Sequence, residues 1–163
     1  MLANHLAAMS GSVYSLVHVG VYAGMPSRKR TATGYKARRR QNARWEQTGV
    51  KVFARPLRYP NAWPAEPARE KGIDVKLAID LVTMAVADLY DVGILVSCDT
   101  DLAPAVEALL DLRRERGRPT VELVAWEGRA NKIGLGGHQL TYRMIDRALF
   151  DKVRDGTDYT LDP

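Results

Sequence analysis

Two carboxylates, Asp99 and Asp101, flank Thr100 directly after the apolar run of residues 92–97. Carboxylates at this spacing repel each other unless a cation lies between them. Mg²⁺ and Mn²⁺ supply that charge, because they prefer hard oxygen ligands and keep water in their remaining coordination positions. Such an ion orients and deprotonates a water for in-line attack on a phosphodiester. The pair is therefore a candidate catalytic and metal site, with Mg or Mn as its cofactor.

Structural roles for the acidic residues stay open beside this interpretation. Asp99 can close a turn and Asp101 can cap the following helix, and the Asp-x-Asp spacing alone favours these uses. Asp74 is equally suited to be the N-cap of a helix over residues 75–89. Asp80 lies in the middle of that helix, where aspartate has poor propensity, and follows Lys76 by four residues. A surface ion pair with Lys76 therefore competes with a metal role for Asp80.

Other chemistries that use Asp-x-Asp match the sequence less well. A phosphatase of the haloacid-dehalogenase type requires Thr or Val two residues after the second Asp, where this chain has Ala103. A metal-adhesion site requires Asp-x-Ser-x-Ser, but Asp101 stands where the first Ser is needed. A nucleotide-sugar enzyme that holds its metal through Asp99 and Asp101 remains an alternative, although the chain is short for one.

Positive charge concentrates in the basic segment, residues 27–44, which contains no Asp or Glu. Its eight basic residues are Arg28, Lys29, Arg30, Lys36, Arg38, Arg39, Arg40 and Arg44. Without them the 24 basic residues fall to 16, fewer than the 19 acidic ones, so the basicity of the chain is local. A concentrated patch suits RNA or DNA, with a solvated surface that only maintains solubility as the equal alternative.

Seven residues in or near this segment are candidates for nucleic-acid contacts: Arg28, Lys29, Arg30, Arg38, Arg39, Arg40 and Lys71. Lys71 precedes Asp74 by about one helical turn, which suits contact with a phosphate. Tyr35, Trp45 and Trp63 lie in or near the basic region and can stack on bases, although packing in the core is the better use for Trp45.

The length of 163 residues is that of one domain, and we expect residues 1–163 to form a single domain. The single cysteine, Cys98, excludes an intrachain disulfide and fits a reducing cytoplasm. No run reaches the roughly 18 apolar residues of a membrane span, and the start of the chain lacks the features of a signal peptide. We therefore expect a cytoplasmic protein without a membrane partner.

Hydrophobic periodicity and turn residues predict strands that alternate with helices. The predicted strands are residues 13–22, 50–54, 92–97 and 120–126, and the predicted helices are residues 35–47, 75–89, 101–117 and 140–153. Residues 23–26 read as a turn, residues 128–137 as a loop, and residues 56–70 as a loop because they contain four prolines. The alternation predicts an α/β domain with a parallel sheet, in which ligands bind outside the carboxyl ends of the strands. Asp99 and Asp101 fall at that edge.

Two segments together resemble the central motifs of the NYN domain family, whose bacterial and eukaryotic members are relatives of PIN nucleases. Residues 70–80 contain Lys-Gly-Ile-Asp at the start of a helix, and residues 91–104 contain an apolar strand that ends Ser-Cys-Asp-Thr-Asp-Leu. The resemblance extends more weakly over residues 13–153. It implies a PIN-like three-layer fold, with a central parallel sheet flanked by helices, and cleavage of RNA that depends on Mg²⁺ or Mn²⁺. It also implies that Asp74, Asp99 and Asp101 are metal ligands and that Asp80 is a supporting acid.

The chain departs from the family pattern in three places. Cys98 replaces the usual Gly and Leu102 the usual Phe, and both changes look tolerable. Family members begin with a strand that ends Asp-Gly-x-Asn, whose Asp completes the metal site, whereas residues 1–45 contain no Asp or Glu. We therefore expect the given chain to begin after that first strand, with the loss of an acid and of metal affinity as the alternative.

The leading functional hypothesis is a metal-dependent ribonuclease that hydrolyses single-stranded or structured RNA. Its chief competitor is a noncatalytic RNA-binding or regulatory module that retains the basic segment and has a degenerate site. A nucleotide-sugar enzyme is the third hypothesis. RNA is the expected partner, and a homo-oligomer is compatible with the sequence.

Overall fold

The computed structural model describes residues 2–9, 14–128, 133–138 and 140–161. The helices are α1 (Leu2–Ala8), α2 (Ala32–Glu46), α3 (Ile73–Val86), α4 (Ala103–Arg116) and α5 (Arg147–Val153). The strands are β1 (Gly20–Met25), β2 (Lys51–Pro56), β3 (Val92–Val96), β4 (Thr120–Trp126) and β5 (Thr141–Ile145), and a 3₁₀ turn (Thr100–Leu102) precedes α4. The predicted α/β class, with parallel strands and flanking helices, is confirmed.

The chain divides into two compact units, each with its own parallel sheet. The three-stranded unit comprises Met1–Tyr14 and Leu77–Arg154 and has the strand order β3-β4-β5. The two-stranded unit comprises Ser15–Lys76 and Asp155–Pro163 and pairs β1 with β2. Within the described residues, β1 and β3 are therefore edge strands of their sheets.

Strand β4 organises the core of the three-stranded unit. Its residues 121–125 are buried, which is the pattern of a parallel strand that is covered on both faces. Val121 and Leu123 point to one face, where they join a cluster with Val106 and Leu109 of α4. The opposite face carries a second cluster, formed by Val124, Leu6 and Ile145. Helices thus cover the sheet on both sides and form three layers.

Strand β3, which leads to the acidic pair, is held close to α3 by Tyr90. The hydroxyl of Tyr90 donates a hydrogen bond to the carbonyl of Leu81 at 2.8 Å, and burial raises the pKa of Tyr90 to about 12. The ring crosses Gly93 so closely that a Cβ atom there would lie 2.9 Å from a ring carbon. A glycine at this position is therefore required for the ring to lie against the strand.

The predicted helix over residues 140–153 is wrong in its first half. Residues 141–145 form strand β5, parallel to β4, and only Arg147–Val153 is helical. Asp146 separates the two elements because its carboxylate accepts a hydrogen bond from the Leu149 amide at 2.7 Å and caps α5. Ile145 and Leu149 pack in the same cluster, so their four-residue spacing resembled one continuous helix.

The predicted strand over residues 13–22 is also misplaced. Strand β1 begins at Gly20 and continues through residues 23–25, which were predicted to turn, and Val13 lies outside the described residues. Ala23 and Gly24 are buried, and the Gly24 amide donates a hydrogen bond to Glu70 Oε1. Tyr22 stands opposite Phe53 of β2, with stacked rings whose centroids lie 4.9 Å apart.

Smaller differences concern helix ends and loops. Helix α2 begins at Ala32, before the predicted residue 35, whereas Gly117 ends α4 as predicted, with φ 77°. The proline-rich loop over residues 56–70 contains one antiparallel bridge, between Arg58 and Arg69. Residues 129–132 of the loop predicted over residues 128–137 lie outside the described part of the chain. No described helix combines the length and the apolar character that a membrane span requires.

A buried ion pair links β4 to β5. Glu122, on the α1 side of β4, pairs with Arg143 of the neighbouring strand, and the two side chains are only 9% and 12% exposed. Arg143 also donates a hydrogen bond to the carbonyl of Leu6 in α1, at 3.1 Å. The arginine therefore connects two strands and the helix that covers them.

We expect Arg143→Met to lower the free energy of unfolding by about 3–5 kcal/mol, because it leaves the Glu122 carboxylate buried without its partner. The double variant Glu122→Leu/Arg143→Met should recover most of that loss, since no buried charge remains. Urea denaturation of both variants and the parent measures these changes. A double variant no more stable than the single one would show that the ion pair is not the cause.

Candidate metal site and nucleic-acid surface

Asp99 and Asp101 lie in one turn at the carboxyl end of β3. The Asp99 amide donates to Ser97 Oγ at 3.1 Å, and the Asp101 amide donates to Asp99 Oδ1 at 3.0 Å. Leu102, only 2% exposed, anchors the turn in the core next to α4. The backbone thus fixes Asp99, which is half-buried, whereas the Asp101 side chain is exposed.

The structural role predicted for Asp99, which was to close a turn, is found, whereas the helix cap predicted for Asp101 is not. Asp99, rather than Asp101, caps the 3₁₀ turn, and the N-cap residue of α4 is Leu102, which makes no side-chain capping bond. The Asp101 carboxylate therefore has no capping role at α4. Asp99 uses one carboxylate oxygen for the cap, and a carboxylate has further lone pairs with which to bind a cation.

Asp74 and Asp80 both belong to α3. The helix begins at Ile73, so Asp74 lies in its first turn and is not the predicted N-cap. Asp74 is exposed, and its charge is favourable near the positive end of the helix dipole. Asp80 is half-buried and follows six residues later, which rotates it by about 120° around the helix from Asp74.

Asp99 and Asp101 are thus brought together in a single turn of the three-stranded unit. Asp74 belongs to the two-stranded unit, and Asp80 to the part of α3 that begins the three-stranded unit. Within residues 2–9, 14–128, 133–138 and 140–161, there is no group of three or more His, Cys, Asp and Glu side chains that could hold a metal ion.

The predicted nucleic-acid residues other than Lys71 occupy the turn after β1 and the middle of α2. Arg28, Lys29 and Arg30 are exposed in a turn that the hydroxyl of Tyr59 holds, because it accepts a hydrogen bond from the Ser27 amide at 2.8 Å. The remaining residues of this set are Arg38, Arg39 and Arg40 of α2, together with exposed Lys71 at the end of the proline-rich loop.

Arg40 has a structural use that the sequence did not indicate. Its guanidinium donates hydrogen bonds to the carbonyls of Tyr159 and Leu161, and the first of these measures 2.9 Å. Residues 155–161, the C-terminal segment, are thereby attached to α2. The acidic residues near the end of the chain were the only signal in the sequence for this contact with the basic helix.

The C-terminal segment brings negative charge to basic α2. Hydrogen bonds from Tyr159 and Thr157, with the positive charge of Arg44, hold the pKa of Asp155 below its usual range. Hydrogen bonds from the side chain and amide of Thr160 similarly lower the pKa of Asp158. Both carboxylates therefore stay ionised to lower pH than ordinary aspartates, and Asp155 offsets part of the charge of Arg44.

The turn that carries Asp99 and Asp101 follows a parallel strand and leads directly into helix α4, as in a doubly covered α/β domain. The family model of the NYN domain matches residues 8–132. The chain therefore belongs to the NYN domain family, whose fold is PIN-like, as its two central motifs suggested. A search of curated proteins found no match, and neither did a search of solved structures.

The cap formed by Asp99 predicts a difference between two substitutions. Asp99→Ala should lower the free energy of unfolding by about 1 kcal/mol because the Asp101 amide loses its acceptor, whereas Asp99→Asn retains an acceptor oxygen and should be nearly neutral. Thermal and urea denaturation of the two variants tests this order. Equal losses for Ala and Asn would show that the negative charge, rather than the hydrogen bond, stabilises the turn.

The contacts of Arg40 predict how firmly the C-terminal segment is held. Arg40→Ala should make native-state cleavage by trypsin after Arg154 about tenfold faster, because two charge-assisted hydrogen bonds to the segment are lost. Mass spectrometry of timed digests measures the rate, and Arg39→Ala is the matched control on the same helix. Equal rates for the two variants would contradict the proposed attachment.

Proposed function

We propose that this NYN domain is a metal-dependent ribonuclease whose reaction centre is the turn that carries Asp99 and Asp101. The observation that carries the proposal is the placement of these acids at the carboxyl end of the parallel strand β3 in a PIN-like fold. This edge is where parallel α/β sheets bind their ligands. In this function residues 1–163 act as one domain, in the cytoplasm.

The donor set of the turn suits Mg²⁺ or Mn²⁺. Both side chains offer hard carboxylate oxygens, and the turn contains no described imidazole that would favour a softer metal. Asp99 is held in position by the amide of Asp101 and by Ser97, so one ligand is oriented before the ion binds. Asp101 follows on the exposed side and is accessible to solvent, as a ligand for a hydrated ion must be.

Further roles follow from the family pattern. Asp74, in the first turn of α3, is the proposed third metal ligand, and Asp80 is the proposed supporting acid. When bound, the ion lowers the pKa of a water and stabilises charge on the leaving oxygen of the phosphodiester. The residues of the chain hold the ion and orient the RNA, with Lys71 and the arginines of the basic segment contacting phosphates.

A noncatalytic RNA-binding module is the second candidate. The observation that favours it is that the described residues contain no group of three or more metal-binding side chains. Such a module would keep the basic segment and bind RNA through its phosphates without cutting it.

Cleavage of a labelled single-stranded RNA by the purified chain tests the two candidates. We expect cleavage that requires Mn²⁺ or Mg²⁺ and is lost on addition of EDTA. Asp99→Asn and Asp101→Asn should each lower the rate about 100-fold or more, because each removes a charged ligand. Glu107→Gln also removes one negative charge, but from an exposed position of α4, and should leave the rate unchanged.

Metal-independent cleavage, or full activity of Asp99→Asn, would refute the proposed reaction centre. Intact RNA that binds with steep salt dependence would instead establish the noncatalytic module. Because the side-chain oxygen that remains after Asp99→Asn still accepts the capping hydrogen bond, a loss of activity in this variant is not a loss of folding.

A further inference from the structure

The proline-rich loop of the two-stranded unit places two arginines directly opposite each other. Arg58 and Arg69 form an antiparallel bridge in which each amide donates to the carbonyl of the other at 2.8 Å. In such a pair the Cα atoms lie about 5.5 Å apart and both side chains project to the same side. Like charges in this arrangement destabilise the structure, so the backbone holds a pair of guanidinium groups that would otherwise separate.

Neither arginine forms an ion pair with a carboxylate within the described part of the chain. Ion pairs there involve other arginines, namely Arg114, Arg118, Arg143, Arg147 and Arg154. Glu70, the acid next to Arg69, accepts a hydrogen bond from the Gly24 amide at the end of β1. Both arginines are exposed, and therefore both can bind an anion from solution.

The loop is fixed at several points, so the arginines are positioned before any ligand arrives. The Leu57 amide donates to the carbonyl of Met25 at 2.9 Å, and Glu70 closes the other end of the loop on Gly24. Between them, the ring of Tyr59 packs edge-on against Trp63, with centroids 4.9 Å apart. A fixed loop loses little conformational entropy when it binds, which favours affinity.

Tyr59 also joins the loop to the basic segment. Its hydroxyl lies 2.8 Å from the Ser27 amide and 3.0 Å from Thr31 Oγ1, and the guanidinium of Arg30 lies over its ring, 5.2 Å from the centroid. Arg30 therefore contacts the loop through Tyr59, whose hydroxyl also holds the turn after β1.

From this arrangement we infer that Arg58 and Arg69 form a binding site for the phosphates of single-stranded RNA. The inference rests on the proposed interaction with RNA and adds two residues that lie outside the basic segment. A guanidinium presents a planar fork of donors to phosphate oxygens, so two opposed guanidinium groups can hold one phosphate or two successive ones. The bound phosphate removes the repulsion between the two arginines.

Binding of a short, fluorescently labelled single-stranded RNA to the full chain in EDTA, measured by anisotropy over a salt series, tests the inference. Arg58→Gln/Arg69→Gln should weaken binding about tenfold at 0.1 M salt and reduce the slope of log K against log salt by about 1.4, the value for two lost phosphate contacts. Arg113→Gln/Lys152→Gln, which removes the same charge from exposed positions of α4 and α5, should change neither quantity appreciably.

Two further variants separate charge from geometry. Arg58→Lys/Arg69→Lys should keep most of the salt slope but bind more weakly than the parent, because lysine retains the charge and lacks the fork. Tyr59→Phe removes the hydroxyl contacts with Ser27 and Thr31 while it keeps the ring, so it should weaken binding with little change in slope. The lysine variant also serves as the test if the glutamine variant fails to fold.

Parent-like affinity and slope in the glutamine variant would overturn the inference. If Arg58→Gln/Arg69→Gln weakened the binding of duplex RNA but not of single-stranded RNA, the assignment to single strands would be wrong. Since binding is measured without metal, a chain that binds through these arginines but never cleaves RNA would refute the ribonuclease proposal and leave this site standing.

Discussion

Burial of β4 on both faces is the constraint on which the three-stranded unit depends. A parallel strand that is covered on both sides needs helices on both sides, and the crossovers that supply them direct every strand the same way. The carboxyl ends of β3, β4 and β5 consequently lie at one edge of their sheet. The turn after β3 lies at this edge, where Asp99 and Asp101 can reach solvent. Buried Leu102 anchors the same turn in the core.

The same turn shows how one residue serves structure and chemistry together. Asp99 satisfies the Asp101 amide through one oxygen, and this bond sets the direction of its carboxylate. The sequence had presented capping and metal binding as alternatives for these acids. In the structure they are compatible, since Asp99 makes the cap and Asp101 contributes a carboxylate that no cap at α4 uses.

The parts of the fold that were predicted correctly are those with one unambiguous signal. Continuous apolar runs identified β3 and β4, and Gly117 marked the end of α4. The region over residues 140–153 was misread because Ile145 and Leu149 share a cluster while belonging to different elements. Only the capping bond of Asp146 separates them, and a lone aspartate is a weak sign of a helix start.

The candidate site, like the fold, was predictable only where the sequence carries a local signal. Its acids were found because two motifs occur in the right order, and the basic segment was found because its charges are close together in the sequence. The bridge between Arg58 and Arg69 gave no such signal, since its residues are eleven positions apart with three prolines between them. The contact of Arg40 with the C-terminal segment joins residues more than a hundred positions apart, which periodicity cannot reveal.

Electrostatics in the two-stranded unit is therefore governed by backbone geometry rather than by charge content alone. Backbone hydrogen bonds hold Arg58 beside Arg69 against their repulsion, while Arg40 binds carbonyl groups and so presents less of its charge to a ligand. The C-terminal segment adds ionised Asp155 near Arg44. Positive charge is thus offset along part of α2, whereas the turn after β1 carries Arg28, Lys29 and Arg30 without an acid. A polyanion is attracted to fixed cations that form no ion pair, and in the described part of this unit the opposed Arg58 and Arg69 meet that condition.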